Sequence, residues 1–132
     1  MAEHRSIGNV AEATGVRVVT IRYYEKIGLL PVPRRTASNY RVYSGKHIQR
    51  LRFIRRCRNL GFSLEQIKSL LELASKRTRA CAQVDQMTRE QLHDVEERIA
   101  SLKRLSAELR HLSNCCSGNG VIADCRIIEA LS

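Results

Sequence analysis

The sequence predicts a mainly α-helical fold. A small head of short helices, broken by one β-hairpin, is followed by a single long helix and a short cysteine-bearing tail. Three observations carry this. Apolar residues recur at helical spacing through residues 6–30 and again through 46–75. A proline-containing stretch between them alternates instead. Further on, Leu92, Val95, Ile99, Leu102, Leu105, Leu109 and Leu112 follow one another at intervals of 3, 4, 3, 3, 4 and 3, a near-heptad seam.

In "SIGNVAEATGV" (Ser6 to Val16), Ser6 caps a helix on which Ile7, Val10 and Ala11 share a face, and Gly15 suits the tight turn after it. "RVVTIRYYEKIGLL" (Arg17 to Leu30) is a second short helix, with Val18, Ile21 and Tyr24 turned inward. Two short helices joined by a glycine-containing turn make a helix-turn-helix pattern. "PVPRRTASNYRVYS" (Pro31 to Ser44) holds both prolines of the chain, and its "SNYRVYS" alternates in aromatic and β-branched types, so it reads as a short hairpin. "KHIQRLRFIRRCRNLG" (Lys46 to Gly61) returns to helix, with Ile48, Leu51, Ile54 and Cys57 on one stripe and Gly61 ending it. "SLEQIKSLLELAS" (Ser63 to Ser75) opens on a serine cap with Gln66 in capping-box position. The long element runs from about Cys81 to Ser113. At 1.5 Å per residue it is roughly 45 Å long. So long a seam calls for a second copy of the chain, in a coiled coil; an internal bundle helix is the alternative.

The net charge of +10 is unevenly placed. Residues 1–60 contain 13 Lys+Arg against 3 Asp+Glu, and residues 61–132 contain 10 of each. A basic half joined to a neutral half points to one part that meets a polyanion and another with a separate task. No apolar run nears the roughly 20 residues of a membrane helix, and no signal segment is visible, so the expectation is a soluble cytoplasmic protein without a membrane partner. No pairing of acid, base and nucleophile suggests an enzyme.

Within the basic half, Arg17, Thr20, Arg22, Tyr23, Tyr24 and Lys26 lie on or near the second helix. Arg34, Arg35, Asn39, Tyr40 and Arg41 lie in or near the hairpin. Guanidinium forks and phenol hydroxyls suit phosphate oxygens, and arginine also reads guanine edges. A helix in the major groove flanked by a β-wing is a docking geometry for duplex DNA. The aromatics form no strand platform for stacking RNA bases.

Five cysteines without a secretion signal argue against a disulfide framework. Cys115, Cys116 and Cys125 gather in "NCCSGNGVIADC". Thiolates select soft ions such as Zn, Cd, Pb, Hg or Cu(I). Loop thiols that are incidental or redox-reactive remain the other reading. Cys57, alone in "RRCRN", reads as a small packing residue.

The chain resembles the MerR family of bacterial transcriptional regulators. "TIRYYEKIGLL", "NYRVY" and "LGFSLEQIKSLL" carry the resemblance, in order, and it extends over nearly the whole chain. It implies a winged helix-turn-helix DNA-binding domain with its following helix pair (1–75), a long antiparallel coiled-coil dimerisation helix (81–113), and a metal-binding loop with a short C-terminal helix (114–132). It implies promoter DNA, a second copy of the chain and RNA polymerase as partners, and activation by distortion of promoter DNA when metal binds. Arg22, Tyr24, Arg35, Asn39, Tyr40 and Arg41 match family DNA-contact positions. In an antiparallel dimer, Cys81 of one subunit meets Cys115, Cys116 and Cys125 of the other. Family sensors of divalent metals carry cysteine where copper(I)-type sensors resemble a two-cysteine site with serine. Cys81 therefore implies a soft divalent ion (Zn, Cd, Pb or Hg), with a copper(I) sensor or a thiol metal buffer or redox protein as alternatives. The zinc branch has a loop histidine four residues after the cysteine pair; here that position is Gly120. His111 is a candidate outer ligand.

Overall fold

The structure, a computed structural model, describes residues 5–132; the first four residues of the expected head lie outside the described residues. The elements follow the predicted order. Helices α1 (Ile7–Thr14) and α2 (Val18–Lys26) precede strands β1 (Arg34–Arg35) and β2 (Arg41–Val42). Helices α3 (Gly45–Asn59), α4 (Leu64–Ala74), α5 (Ala82–Ser113) and α6 (Arg126–Leu131) complete the chain. The chain divides into two compact units, one ending at Ala80 and one spanning Cys81–Ser132.

In the first unit, Ser6 Oγ accepts from the Asn9 amide at 3.2 Å and starts α1. Gly15, at φ 71°, ends it in the left-handed region that glycine enters without a Cβ clash. Thr14, which the periodicity passes over, is buried; its hydroxyl donates to the Val10 carbonyl at 2.8 Å and accepts from the Val16 amide at 3.3 Å. That back-bond satisfies a polar group the core would otherwise strand.

Helix α2 is shorter than its apolar spacing suggested. It stops at Lys26 rather than Leu30, because Gly28 turns to φ 79° and the amides of Leu29 and Leu30 both donate back to the Tyr24 carbonyl. That turn sends Leu29 and Leu30 into the core. Val18 is only half-buried, while Ile21 and Tyr24 face in as expected.

The hairpin forms, but its first strand lies in the arginine pair ahead of the alternating stretch. Arg34 pairs with Val42 and Arg35 with Arg41, antiparallel. Residues 36–40 make the turn, closed by the Thr36 amide on the Tyr40 carbonyl at 2.8 Å, with Asn39 at φ 68°. A further bridge joins Arg5 to Tyr43.

Helix α3 buries the predicted stripe of Ile48, Leu51, Ile54 and Cys57. The Ser44 amide donates to His47 Nδ1 at 3.1 Å, which leaves Nε2 to donate to the Pro31 carbonyl at 3.1 Å and pin the α2–wing connection to α3. The Ser63–Gln66 capping box forms at the head of α4, with bonds of 2.8 and 3.1 Å. Val10, Ile21, Leu30, Tyr43, Leu51, Ile54 and Ile67 are the fully sealed centre of this unit.

The second unit is different. Helix α5, 32 residues and about 48 Å long, buries none of its residues. Its seam is open: Leu92, Val95, Ile99, Leu102, Leu105 and Leu109 are all exposed, Leu102 at 63%. A loop with a short 3-10 turn (Ile122–Asp124) leads to α6. No helix among the described residues is long and apolar enough to cross a membrane.

Candidate nucleic-acid interface and thiol site

The outer face of α2 follows from its inner one. With Ile21, Tyr24 and Glu25 buried, the helical period leaves Val19, Arg22, Tyr23 and Lys26 in one exposed stripe at i, i+3, i+4 and i+7. Beside it lies an open depression of about 600 Å³ lined by Ser6, Ile7, Arg22, Arg35, Asn39, Tyr40 and Arg41. Five of the eleven candidates on α2 and the hairpin, Arg22, Arg35, Asn39, Tyr40 and Arg41, therefore converge between those two elements. Arg17, Thr20 and Tyr24 border a second depression of about 310 Å³ with Arg55 and Arg58. Tyr23 lines neither, but projects half-exposed from the stripe. Tyr24 is only 8% exposed and shows little more than an edge.

The wing is braced from within. Arg35 Nη1 donates to the Asn39 carbonyl at 3.1 Å across the turn, holding the left-handed Asn39 and lifting Tyr40 into solvent. Arg41 does not stand free: its Nη1 lies 3.2 Å from Glu25 Oε2. The other oxygen, Oε1, accepts the Tyr43 hydroxyl hydrogen at 2.5 Å. Burial, then the hydrogen bond to Glu25 and its negative charge, push Tyr43 up to about 12. Sequence reasoning missed Glu25; the signal was an acid inside a segment otherwise rich in cations.

It also missed the bracing role of α3. Arg55 Nη1 donates to the Thr14 carbonyl at 2.7 Å, capping the end of α1 beneath the helix-turn-helix turn. Arg50 Nε reaches the Leu29 carbonyl at 3.0 Å and Arg58 Nη1 the Phe62 carbonyl at 2.9 Å.

The thiols divide into groups. Cys116 and Cys125 are neighbours, close enough for Cys116 to help lower the Cys125 thiol. The Gly118 amide donates to Cys116 Sγ at 3.4 Å, through a turn that puts Gly118 at φ 81°. Cys125 caps α6, and the Ile128 amide above all holds its thiol below the ordinary range; burial opposes this, while the Ile127 amide and Cys116 add to it. Cys115 turns away and donates to the His111 carbonyl at 3.3 Å. Cys81 is exposed at the opposite end of α5, a helix length of about 48 Å away. Among the described residues, no three His, Cys, Asp or Glu side chains of one chain converge on a common point. Cys57 is buried in α3, where burial pushes its thiol up.

Comparison with known proteins agrees with this architecture. Residues 5–74 match the family described as MerR HTH family regulatory protein, and residues 48–112 the one described as MerR, DNA binding. The HTH-type transcriptional regulator HmrR of Sinorhizobium medicae is 44% identical over 96% of this chain and 86% of its own length. The transcription regulator PbrR691 from Ralstonia metallidurans CH34, solved in complex with lead(II), superposes with a TM-score of 0.84 at 34% identity, covering 97% of this chain and 99% of that one. The dual-function regulator MerR of Bacillus megaterium MB1, solved with mercury(II), gives 0.70 at 32% identity, covering 96% and 98%. The chain belongs to the MerR family of DNA-binding, helix-turn-helix transcriptional regulators.

Proposed function

We propose that the chain is a metal-responsive regulator of transcription that works as a homodimer on duplex promoter DNA in the cytoplasm, with a soft divalent ion (Zn, Cd, Pb or Hg) as its signal. The observation that carries this is the distribution of thiols on the second unit. Cys116 and Cys125 sit side by side beyond one end of α5, and Cys81 starts the other end. A chain alone holds two soft donors together. Antiparallel pairing along the open seam of α5 brings the partner's Cys81 to that pair. Three thiolates then offset the charge of a divalent ion. An all-sulfur donor set fits soft metals, and the solved relatives carry lead(II) and mercury(II). Cys115, turned toward α5, and His111 stand outside this set.

On DNA, the α2 stripe enters the major groove, and Arg35, Asn39, Tyr40 and Arg41 hold the flanking backbone. Arg17, Thr20 and Tyr24 add contacts at the other depression. The signal acts only through a difference in affinity between two dimer shapes. A shift along α5 that moves the two heads bends and untwists the promoter and realigns its elements for RNA polymerase.

A second reading rests on the Cys116–Cys125 pair itself: two thiolates suffice for copper(I), and Cys81 is then unnecessary. Transcription from the chain's own promoter against Cu, Ag, Zn, Cd, Pb, Hg and Co separates the two. Response to Zn, Cd, Pb or Hg supports the divalent reading; response to Cu and Ag alone replaces it. Metal binding without retention of any promoter duplex in a gel shift identifies a thiol buffer instead.

A further inference from the structure

We propose that Val19 reads the C5-methyl group of a thymine in the major groove, and so makes thymine at one position of each half-site a determinant of binding. Val19 is the second residue of α2 and is 76% exposed. It leads the outward stripe that continues through Arg22, Tyr23 and Lys26. The N-terminal residues of a recognition helix are those that approach base edges. The other members of the stripe carry a guanidinium, a phenol and an ammonium, groups suited to phosphates and to hydrogen-bonding base edges. Val19 is the member with neither donor nor acceptor. The thymine methyl is the apolar group on a major-groove base edge, and contact with it is how an apolar side chain selects a base.

Local folding gives no other reason for valine here. A β-branched residue in the first turn of a short, solvent-facing helix is a poorer helix former than alanine. The core does not use the side chain: Ile21, Tyr24 and Glu25 form the buried face of α2, and Val18 and Thr20 are the half-buried members of the first turn. The pair Val18–Val19 thus divides its work, the first toward the domain and the second away from it.

This inference rests on the DNA-binding reading. Its test uses the full chain and the tightest duplex it selects from a random-sequence pool. Each thymidine is replaced in turn by deoxyuridine, which deletes the methyl and leaves base pairing unchanged. The expected result is one position per half-site at which deoxyuridine weakens binding by about fourfold, the factor carried by burial of one methyl group. Val19→Ala then binds the thymidine and deoxyuridine duplexes alike at that position, while keeping wild-type sensitivity elsewhere. The inference is overturned if no position responds, or if Val19→Ala discriminates thymidine from deoxyuridine as wild type does. Failure of the wild-type chain to select any duplex removes the DNA-binding reading itself, a result separable from either of those.

Discussion

The Tyr43 hydroxyl and the Glu25 carboxylate meet at 2.5 Å inside the head, and this bond fastens the wing to the recognition helix. Tyr43 is fully buried at the end of β2, and Glu25 belongs to α2. Arg41, from the same strand as the wing tip, neutralises the other carboxylate oxygen at 3.2 Å. Tyr43→Phe removes the donor and leaves a buried carboxylate oxygen without its partner. The expected cost is about 1–3 kcal/mol, the penalty of an unsatisfied buried acceptor, read from the midpoint of urea unfolding. An unchanged midpoint refutes the brace.

The same bond sets an alkaline limit. Tyr43 is raised from 10.0 to about 12, so the fold prefers the neutral phenol. A group whose pKa is higher in the folded state stabilises fully below its unfolded value and loses that contribution as pH climbs through the folded one. The loss therefore falls between pH 10 and about 12. Thermal melts across this window should show a steeper decline for wild type than for Tyr43→Phe, since the variant has no phenol to ionise there. Parallel declines would remove Tyr43 as the cause.

What was legible in the sequence, and what was not, follows from the range of the interactions. The α3 stripe, the Ser63–Gln66 box and the α5 seam are patterns within a few residues, and they formed as read. The extent of α2 was not legible, because Gly28 and the core positions of Leu29 and Leu30 decide it against a continuous apolar spacing. Nor was the Glu25 brace, which joins residues 18 apart through a fold that periodicity does not describe. The sequence marked Arg41 as a DNA-contact candidate but not its pairing with Glu25. Cys115 and Cys116 are equivalent as letters; only the direction of the loop, with Cys115 on the His111 carbonyl and Cys116 beside Cys125, separates them.

Gly15 is held by conformation and by space together. Its φ is 71°, and an added Cβ would fall against the Arg55 guanidinium, which is bonded to the Thr14 carbonyl. Gly15→Ala meets both obstacles, and the expected destabilisation is about 1–3 kcal/mol. Gly28 has a similar φ with nothing within reach of a new Cβ, so Gly28→Ala meets only the first. Calorimetry should rank Gly15→Ala as the more damaging of the two; the reverse order would dismiss Arg55 as an obstacle.

Thiol reactivity should follow environment. The Ile128 amide stabilises the Cys125 thiolate, whereas burial in α3 raises Cys57. With metal removed by a chelator, limited iodoacetamide near neutral pH should label Cys125 well before Cys57. Mass spectrometry of tryptic fragments gives the order. Equal labelling of both would mean that the α6 amides do not tune Cys125.

The proposed division of the metal site between subunits has a test that single substitutions do not provide. Within one chain, Cys81 and the Cys116–Cys125 pair are separated by the full length of α5, about 48 Å. If each site takes Cys81 from one subunit and Cys116 and Cys125 from the other, Cys81→Ser and Cys116→Ser homodimers both lose tight binding of cadmium. A heterodimer of the two variants regains one intact site. The Cys81→Ser chain contributes the thiol pair, and the Cys116→Ser chain contributes its Cys81. Cadmium titration of a purified, differentially tagged heterodimer should therefore recover half the wild-type stoichiometry at wild-type affinity. A site built within one chain predicts no recovery, because each chain then lacks one ligand of its own. A copper(I)-type pair predicts instead that Cys81→Ser homodimers bind normally. Cys115→Ser, whose thiol faces α5 and not the pair, should leave all of these stoichiometries unchanged.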